Sequence, residues 1–210
     1  MLNKNSRILI VGSSGRLNEE KLGSIIDTYD VVCRINMGGS SHCVKNENKN
    51  IIGNRTDIWF ALSHTSLIKE NPYFNFKYST IFTENWRFFY AYKNKFLNLK
   101  LFPQNINETV EKQLLRFNDF QHKPTSGIKV LFYFIKHFLN EDKTCLGTVY
   151  NNIHLCGFDG FESGHWYGNK FIKNQKASDL AAYKGTGKHF TSKEFEYFKF
   201  LEENNLIKFI

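Results

Sequence analysis

The chain has 210 residues, 41% of them apolar and 16% aromatic. That length suits one domain with a substantial core, and with only three Pro and 14 Gly the composition excludes a fibrous or disordered chain. The formal net charge is +8, yet the lysines are dispersed, no run of five basic residues occurs, and no nucleic-acid-binding motif accompanies the charge, so nucleic acid is not an expected partner.

In chain order, Arg7 to Val11 (RILIV) is a short continuous apolar run that reads as a buried strand. It is too short for a signal-peptide core or a membrane span. Gly12-Ser13-Ser14-Gly15 follows at once, then a polar segment of helical character. Strand, glycine-containing turn and helix open a nucleotide-binding α/β unit. Further strands are expected over Tyr29–Asn36, Asp57–Leu62 and Tyr78–Thr83. The aromatic and amide-rich stretch Trp86–Gln121, with weak helical patterning from Glu108 to Phe117, predicts a less regular insertion serving as a lid or acceptor-side element. Ser126–Leu139 reads as a buried helix with Thr, Ser and Gly at its start. Asn152–Cys156 is a strand ended by Gly157-Phe158-Asp159-Gly160. Phe190–Glu203 is a helix and Ile207–Ile210 a last strand.

Strands alternating with helices predict a single Rossmann-like α/β domain over residues 1–210, its mostly parallel sheet flanked by helices. Ligands of such sheets bind outside the C-terminal strand ends, where the polar clusters after Val11, Ile35 and Cys156 fall. Four cysteines, Cys33, Cys43, Cys145 and Cys156, form no C-x-x-C pair, which disfavours structural zinc. Cys33 and Cys156 read as buried thiols, and a cytosolic protein with reduced thiols is expected.

Each chemistry-bearing segment has two readings. The Gly12–Gly15 turn suits a nucleotide, or is an ordinary βα turn. Thr125-Ser126-Gly127 offers hydroxyls and helix N-terminal amides to a phosphate or carboxylate, or is a plain cap. His165 and His189 stand in loops at predicted element ends, where a histidine can pass protons near neutral pH, or are ordinary structural histidines. No G-x-S-x-G elbow supports serine hydrolysis. No D-x-D pair is present either, so the expected site has no metal and no cofactor.

Taken together, these segments resemble the eukaryotic-type sialyltransferases, glycosyltransferase family 29, whose four ordered motifs all have counterparts here. Ile10-Val11-Gly12-Ser13-Ser14-Gly15, with Ile26-Asp27 and Val32-Cys33-Arg34-Ile35-Asn36, resembles the large motif (V-G-N-S-G, I/V-D, R-I-N). Pro124-Thr125-Ser126-Gly127, continuing to His154-Leu155-Cys156-Gly157-Phe158, resembles the small motif. His165-Trp166-Tyr167 resembles the third. His189 and Glu194, with four residues between them and Gly185-Thr186-Gly187 leading in, resemble the very small motif H-x4-E. Bacterial sialyltransferases of family 42 share a T-S-G and a late histidine, but the R-I-N ending and the H-x4-E spacing favour family 29.

The resemblance implies a GT-A-like sialyltransferase variant moving an acidic sugar, sialic acid or alternatively Kdo, from its CMP donor to a glycan or glycolipid hydroxyl. The CMP-sugar would be a co-substrate. Gly12, Ser13, Ser14, Gly15 and Asn36 would meet the cytidine nucleotide. Thr125, Ser126 and Gly127 would hold phosphate or sugar carboxylate, and Gly157, Phe158 and Asp159 would line the base pocket. His165 would stabilise the departing phosphate and His189 would be the general base. Glu194 reads equally as a first-turn helix acid. The sequence departs from the family at Ser13, where Asn is usual, at Gly168 in the third motif, and in lacking the cysteine before the large motif, so the disulfide joining the large and small motifs is not expected. A non-catalytic cytidine-nucleotide or glycan-binding module of the same fold is the alternative. The basic surface would suit approach to anionic glycolipid at the inner face of a membrane. The oligomeric state is not legible.

Overall fold

The computed structural model describes residues 5–40, 46–62, 68, 78–118, 124–141, 152–160 and 191–210. Among these, seven strands form one sheet: β1 (Ile8–Val11), β2 (Val31–Ile35), β3 (Ile58–Phe60), β4 (Thr80–Thr83), β5 (Leu99–Leu101), β6 (Ile153–Cys156) and β7 (Lys208–Phe209). Their spatial order is β5-β4-β3-β2-β1-β6-β7, and every neighbouring pair is parallel.

The apolar runs explain why the sheet is covered on both faces. All four residues of β1 are buried. Ile8 and Ile10 join Cys33, Ile153 and Leu155 on one face; Leu9 and Val11 join Val32 and Cys156 on the other. A strand with two buried faces reads as continuous rather than alternating hydrophobicity. The first face is covered by α5 (Asn105–Asn118), α6 (Ser126–Glu141) and α7 (Thr191–Glu203). The short helices α1 (Leu17–Glu20), α2 (Gly23–Ile26) and α3 (Lys49–Ile52) cover the second face near β1, and α4 (Trp86–Tyr92) covers it near β3 to β5. Much of the Phe content fills the first face: Phe60 stacks on Phe82 at 4.9 Å, with Phe102 and Tyr133 packed around them.

The stretch 86–121 departs from the expected irregular insertion. Its described part, through residue 118, is α4, the edge strand β5 and α5, one more helix–strand–helix step outward from β4. The Asn85 side chain accepts from the Phe88 amide and so starts α4, while Phe88, Phe96 and Leu99 bury against Trp59 and Ile81. Aromatic residues exposed on one side of α4 mask its amphipathic period in the sequence. The strand Leu99–Leu101 is too short to announce itself by pattern.

The chain steps outward from β1 to β5 and then returns to the opposite side of β1 for β6. The direction of winding therefore reverses between β1 and β6, and ligands of such sheets bind at the C-terminal strand ends beside such a reversal.

Candidate active site

At the reversal the first contacts are made by backbone. The Gly12 amide donates to the Cys156 carbonyl at 2.8 Å, and the Ser14 amide to the Gly157 carbonyl at 2.9 Å, so the turns after β1 and β6 are laced together. A Cβ on Gly12 would lie 2.2 Å from the Gly157 oxygen, and Gly157 itself has φ +68°. Only glycine tolerates both demands. The Ser14 hydroxyl accepts from the Arg16 amide at 3.2 Å and closes the turn. Phe158 then lies against α6: a Cβ on Gly127 would come within 2.7 Å of its ring. Asp159 is buried beside it.

Asn36 directly follows β2 with φ +47°, a conformation that Asn tolerates better than most side chains. Its Nδ2 donates to Ser126 Oγ at 3.0 Å. Its carbonyl accepts from Trp59 Nε1 at 2.7 Å. The next turn is pinned by the Tyr78 hydroxyl, which donates to the Gly39 carbonyl at 2.8 Å. The unpaired amides at the start of α6, which suit an anion, thus stand beside Asn36 at the C-terminal edge of the sheet.

A buried carboxyl holds the turn before α6. The Thr125 amide donates to Glu194 Oε1 at 2.7 Å, and the Thr125 hydroxyl donates to Oε2. Glu194, in the first turn of α7, is 2% exposed. Burial pushes its carboxyl up to about 7, against the opposing pull of the two Thr125 hydrogen bonds and of Lys129. Lys129 Nζ in turn pairs with Glu84, just past β4, at 2.9 Å. No group of three or more His, Cys, Asp or Glu among the described residues could hold a metal ion.

Comparison with known proteins identifies the family. The family model "Glycosyltransferase family 29 (sialyltransferase)" matches residues 3–146, more than half the chain. The chain belongs to glycosyltransferase family 29. Of the two families whose motifs it resembles, this is the first. No curated protein matches it. Its fold is that of solved sialyltransferases: a mammalian sialyltransferase matches with a TM-score of 0.62 at 17% identity, over 98% of this chain and 68% of that one. A mammalian sialyltransferase in complex with Gal-beta-1-3GalNAc-ortho-nitrophenol matches with a TM-score of 0.63 at 15% identity, over 98% and 69%.

In this family 29 chain, the fold gathers Gly12, Ser13, Ser14, Gly15, Asn36, Thr125, Ser126, Gly127, Gly157, Phe158 and Asp159 around the C-terminal ends of β1, β2 and β6. His165 and His189 lie outside the described residues. Cys33 and Cys156 are buried free thiols, and burial pushes Cys156 up to about 12.

Two motif residues act as fasteners that sequence reasoning left without a role. Arg34 is 1% exposed; its Nε donates to the Arg55 carbonyl at 3.1 Å and to Thr56 Oγ1 at 3.0 Å, and a terminal nitrogen donates to the Ile52 carbonyl. Asp27 accepts from the Asn54 and Arg55 amides, both at 3.1 Å. Together they lock the loop between α3 and β3, which positions Trp59 under Asn36. An arginine inside an apolar strand is the signal for the first of these, because a buried cation requires acceptors. Trp59 and Tyr78 gave no signal, since each sits in an ordinary apolar run.

Proposed function

We propose that this glycosyltransferase moves sialic acid from CMP-sialic acid to a glycan hydroxyl by a single inverting displacement that needs no metal. The observation that carries this reading is the Asn36–Ser126 hydrogen bond. It joins two motif segments 90 residues apart where a helix start can face a phosphate. In this reading His189 takes the acceptor hydroxyl proton, and the freed oxygen attacks the anomeric carbon. The bond from that carbon to the phosphate oxygen breaks, and CMP leaves with its electron pair. His165 donates a hydrogen bond to the departing phosphate. Both histidine roles rest on motif resemblance.

The acceptor side is assigned to segment 86–121. Trp86 and Tyr90 are 52% and 60% exposed, one turn apart on α4, and such faces stack on sugar rings. The acceptor analogue held by one of the structurally similar sialyltransferases supports a glycan acceptor. The free thiols and the charge of +8 support a cytoplasmic enzyme working at an anionic membrane face. Salt-sensitive sedimentation with anionic vesicles tests that placement.

The deciding experiment incubates the protein with CMP-sialic acid or CMP-Kdo and measures CMP release. Release from CMP-sialic acid is expected, unchanged by EDTA. Release from CMP-Kdo alone reassigns the donor, and strong EDTA inhibition reversed by a divalent metal overturns the metal-free mechanism. CMP binding without consumption of either donor favours the non-catalytic module. His189→Ala should lower turnover about 10²- to 10⁴-fold while leaving CMP affinity nearly unchanged. Near-normal turnover would make the base assignment wrong.

A further inference from the structure

Glu194 is the most deeply buried acid in the described residues, and it carries no role in the displacement outlined above. Its carboxyl meets one residue from both sides, taking the backbone amide and the hydroxyl of Thr125. Thr125 immediately precedes Ser126 and Gly127, and Ser126 meets Asn36. The Thr125–Gly127 turn is thus held at Thr125 by α7 and at Ser126 by Asn36, just past β2. Thr125 and Glu194 are 69 positions apart, which leaves this contact to tertiary packing alone.

We propose that Glu194 is the positioning residue of the donor-anion turn: its carboxyl fixes Thr125 so that the Ser126 and Gly127 amides present one geometry to the donor phosphate. The inference rests on the CMP-donor reading above. Two hydrogen bonds to one residue remove both the rotation of its hydroxyl and the tilt of its peptide. That is how a preorganised anion site avoids reorganisation when its ligand arrives.

The charge surrounding Glu194 gives the clamp a signature that a plain structural contact lacks. The cation facing it is Lys129 on α6, which is itself paired with Glu84 beyond β4. On α7 its charged neighbours Lys193 and Glu196 pair with each other at the surface. Glu194 therefore remains a buried acid beside an anion site. Deprotonation places a negative charge behind the turn and opposes the incoming phosphate, whereas the protonated carboxyl keeps both contacts by accepting from the Thr125 amide on one oxygen and donating from the other to the Thr125 hydroxyl. Donor affinity accordingly falls as the pH rises through the neutral range.

The test titrates CMP calorimetrically into the wild type, Glu194→Gln, Glu194→Ala and Thr125→Val. Glu194→Ala is expected to weaken CMP about tenfold, because it releases both hydrogen bonds that fix the turn. Glu194→Gln, which keeps the shape and an acceptor, should stay within about threefold. The Glu194→Ala/Thr125→Val double variant should bind no worse than Glu194→Ala, because both changes open the same clamp. Between pH 6 and 8 the wild type should lose affinity more steeply than Glu194→Gln; the phosphate of CMP titrates alike against both proteins, so their difference isolates Glu194. A folded Glu194→Ala variant with wild-type affinity overturns the proposal. If the alanine variant does not fold, wild-type CMP affinity in Thr125→Val together with coincident pH profiles of wild type and Glu194→Gln overturns it instead. A wild type that binds no cytidine nucleotide defeats the donor reading itself, and the inference falls with it.

Discussion

The two turns at the C-terminal edge of the sheet, after β1 and before α6, are built by opposite means. The turn after β1 is held by backbone: Gly12 and Ser14 donate to the strand end of β6, and the absence of side chains lets the two chains touch. The turn before α6 is held by a side chain, the buried carboxyl of Glu194. Backbone lacing is indifferent to pH and intolerant of any added atom. A carboxyl clamp tolerates a change of shape but responds to proton concentration. One site thus combines a rigid wall and a titratable one.

Gly12→Ala should break the rigid wall most severely. Its Cβ would fall 2.2 Å from a backbone oxygen that cannot swing aside, and the Gly157 peptide is already laced to Ser14. A loss of about 3 kcal/mol or more is expected, read as a drop in the urea midpoint or as failure to accumulate folded protein. A near-wild-type midpoint would mean the two turns are not in contact.

The titratable wall predicts a smaller, pH-dependent effect. Glu194 has a folded value of about 7, above the ordinary carboxyl value near 4.5. Between those limits the folded state binds more protons than the unfolded one. Stability from this group is therefore fully present below the lower limit and is lost as pH rises to about 7. Relative to Glu194→Gln, the wild type should lose on the order of 3 kcal/mol between pH 4.5 and 8. Parallel denaturation curves for the two proteins across that range would contradict the burial of this charge.

Trp59→Phe sharpens the contrast with the least damage. It keeps most of the buried ring and removes the 2.7 Å hydrogen bond to the Asn36 carbonyl. A cost of about 1–2 kcal/mol is expected in chemical denaturation.

Much of the fold was legible because its strands are continuous apolar runs bounded by polar turns. Every strand except β5 falls inside its expected span, each one to three residues shorter than expected. The α6 helix begins at Ser126 as its Thr-Ser-Gly start requires. Within the described part of 86–121, the helical patterning over Glu108–Phe117 falls inside α5, whereas α4 was missed for a physical reason: Trp86 and Tyr90 are exposed aromatics, so hydrophobicity does not mark its buried face. The site was legible as residue types in order, since Gly, Asn and Ser at strand ends betray turns that need them. Its fasteners were not, because a Trp, a Tyr or a first-turn Glu looks the same whether it serves a site or a core.

The sequence by itself determined the α/β class, the strand ends and the family, because buried runs, turn residues and ordered motifs are properties of adjacent residues. Only the tertiary structure decided that β6 returns beside β1, that Gly12 meets Gly157, that Asn36 reaches Ser126, and that Glu194 grips Thr125. Those contacts join residues tens to more than a hundred positions apart. Which distant partners meet is settled by how two covered faces pack around one sheet, and no local pattern records that.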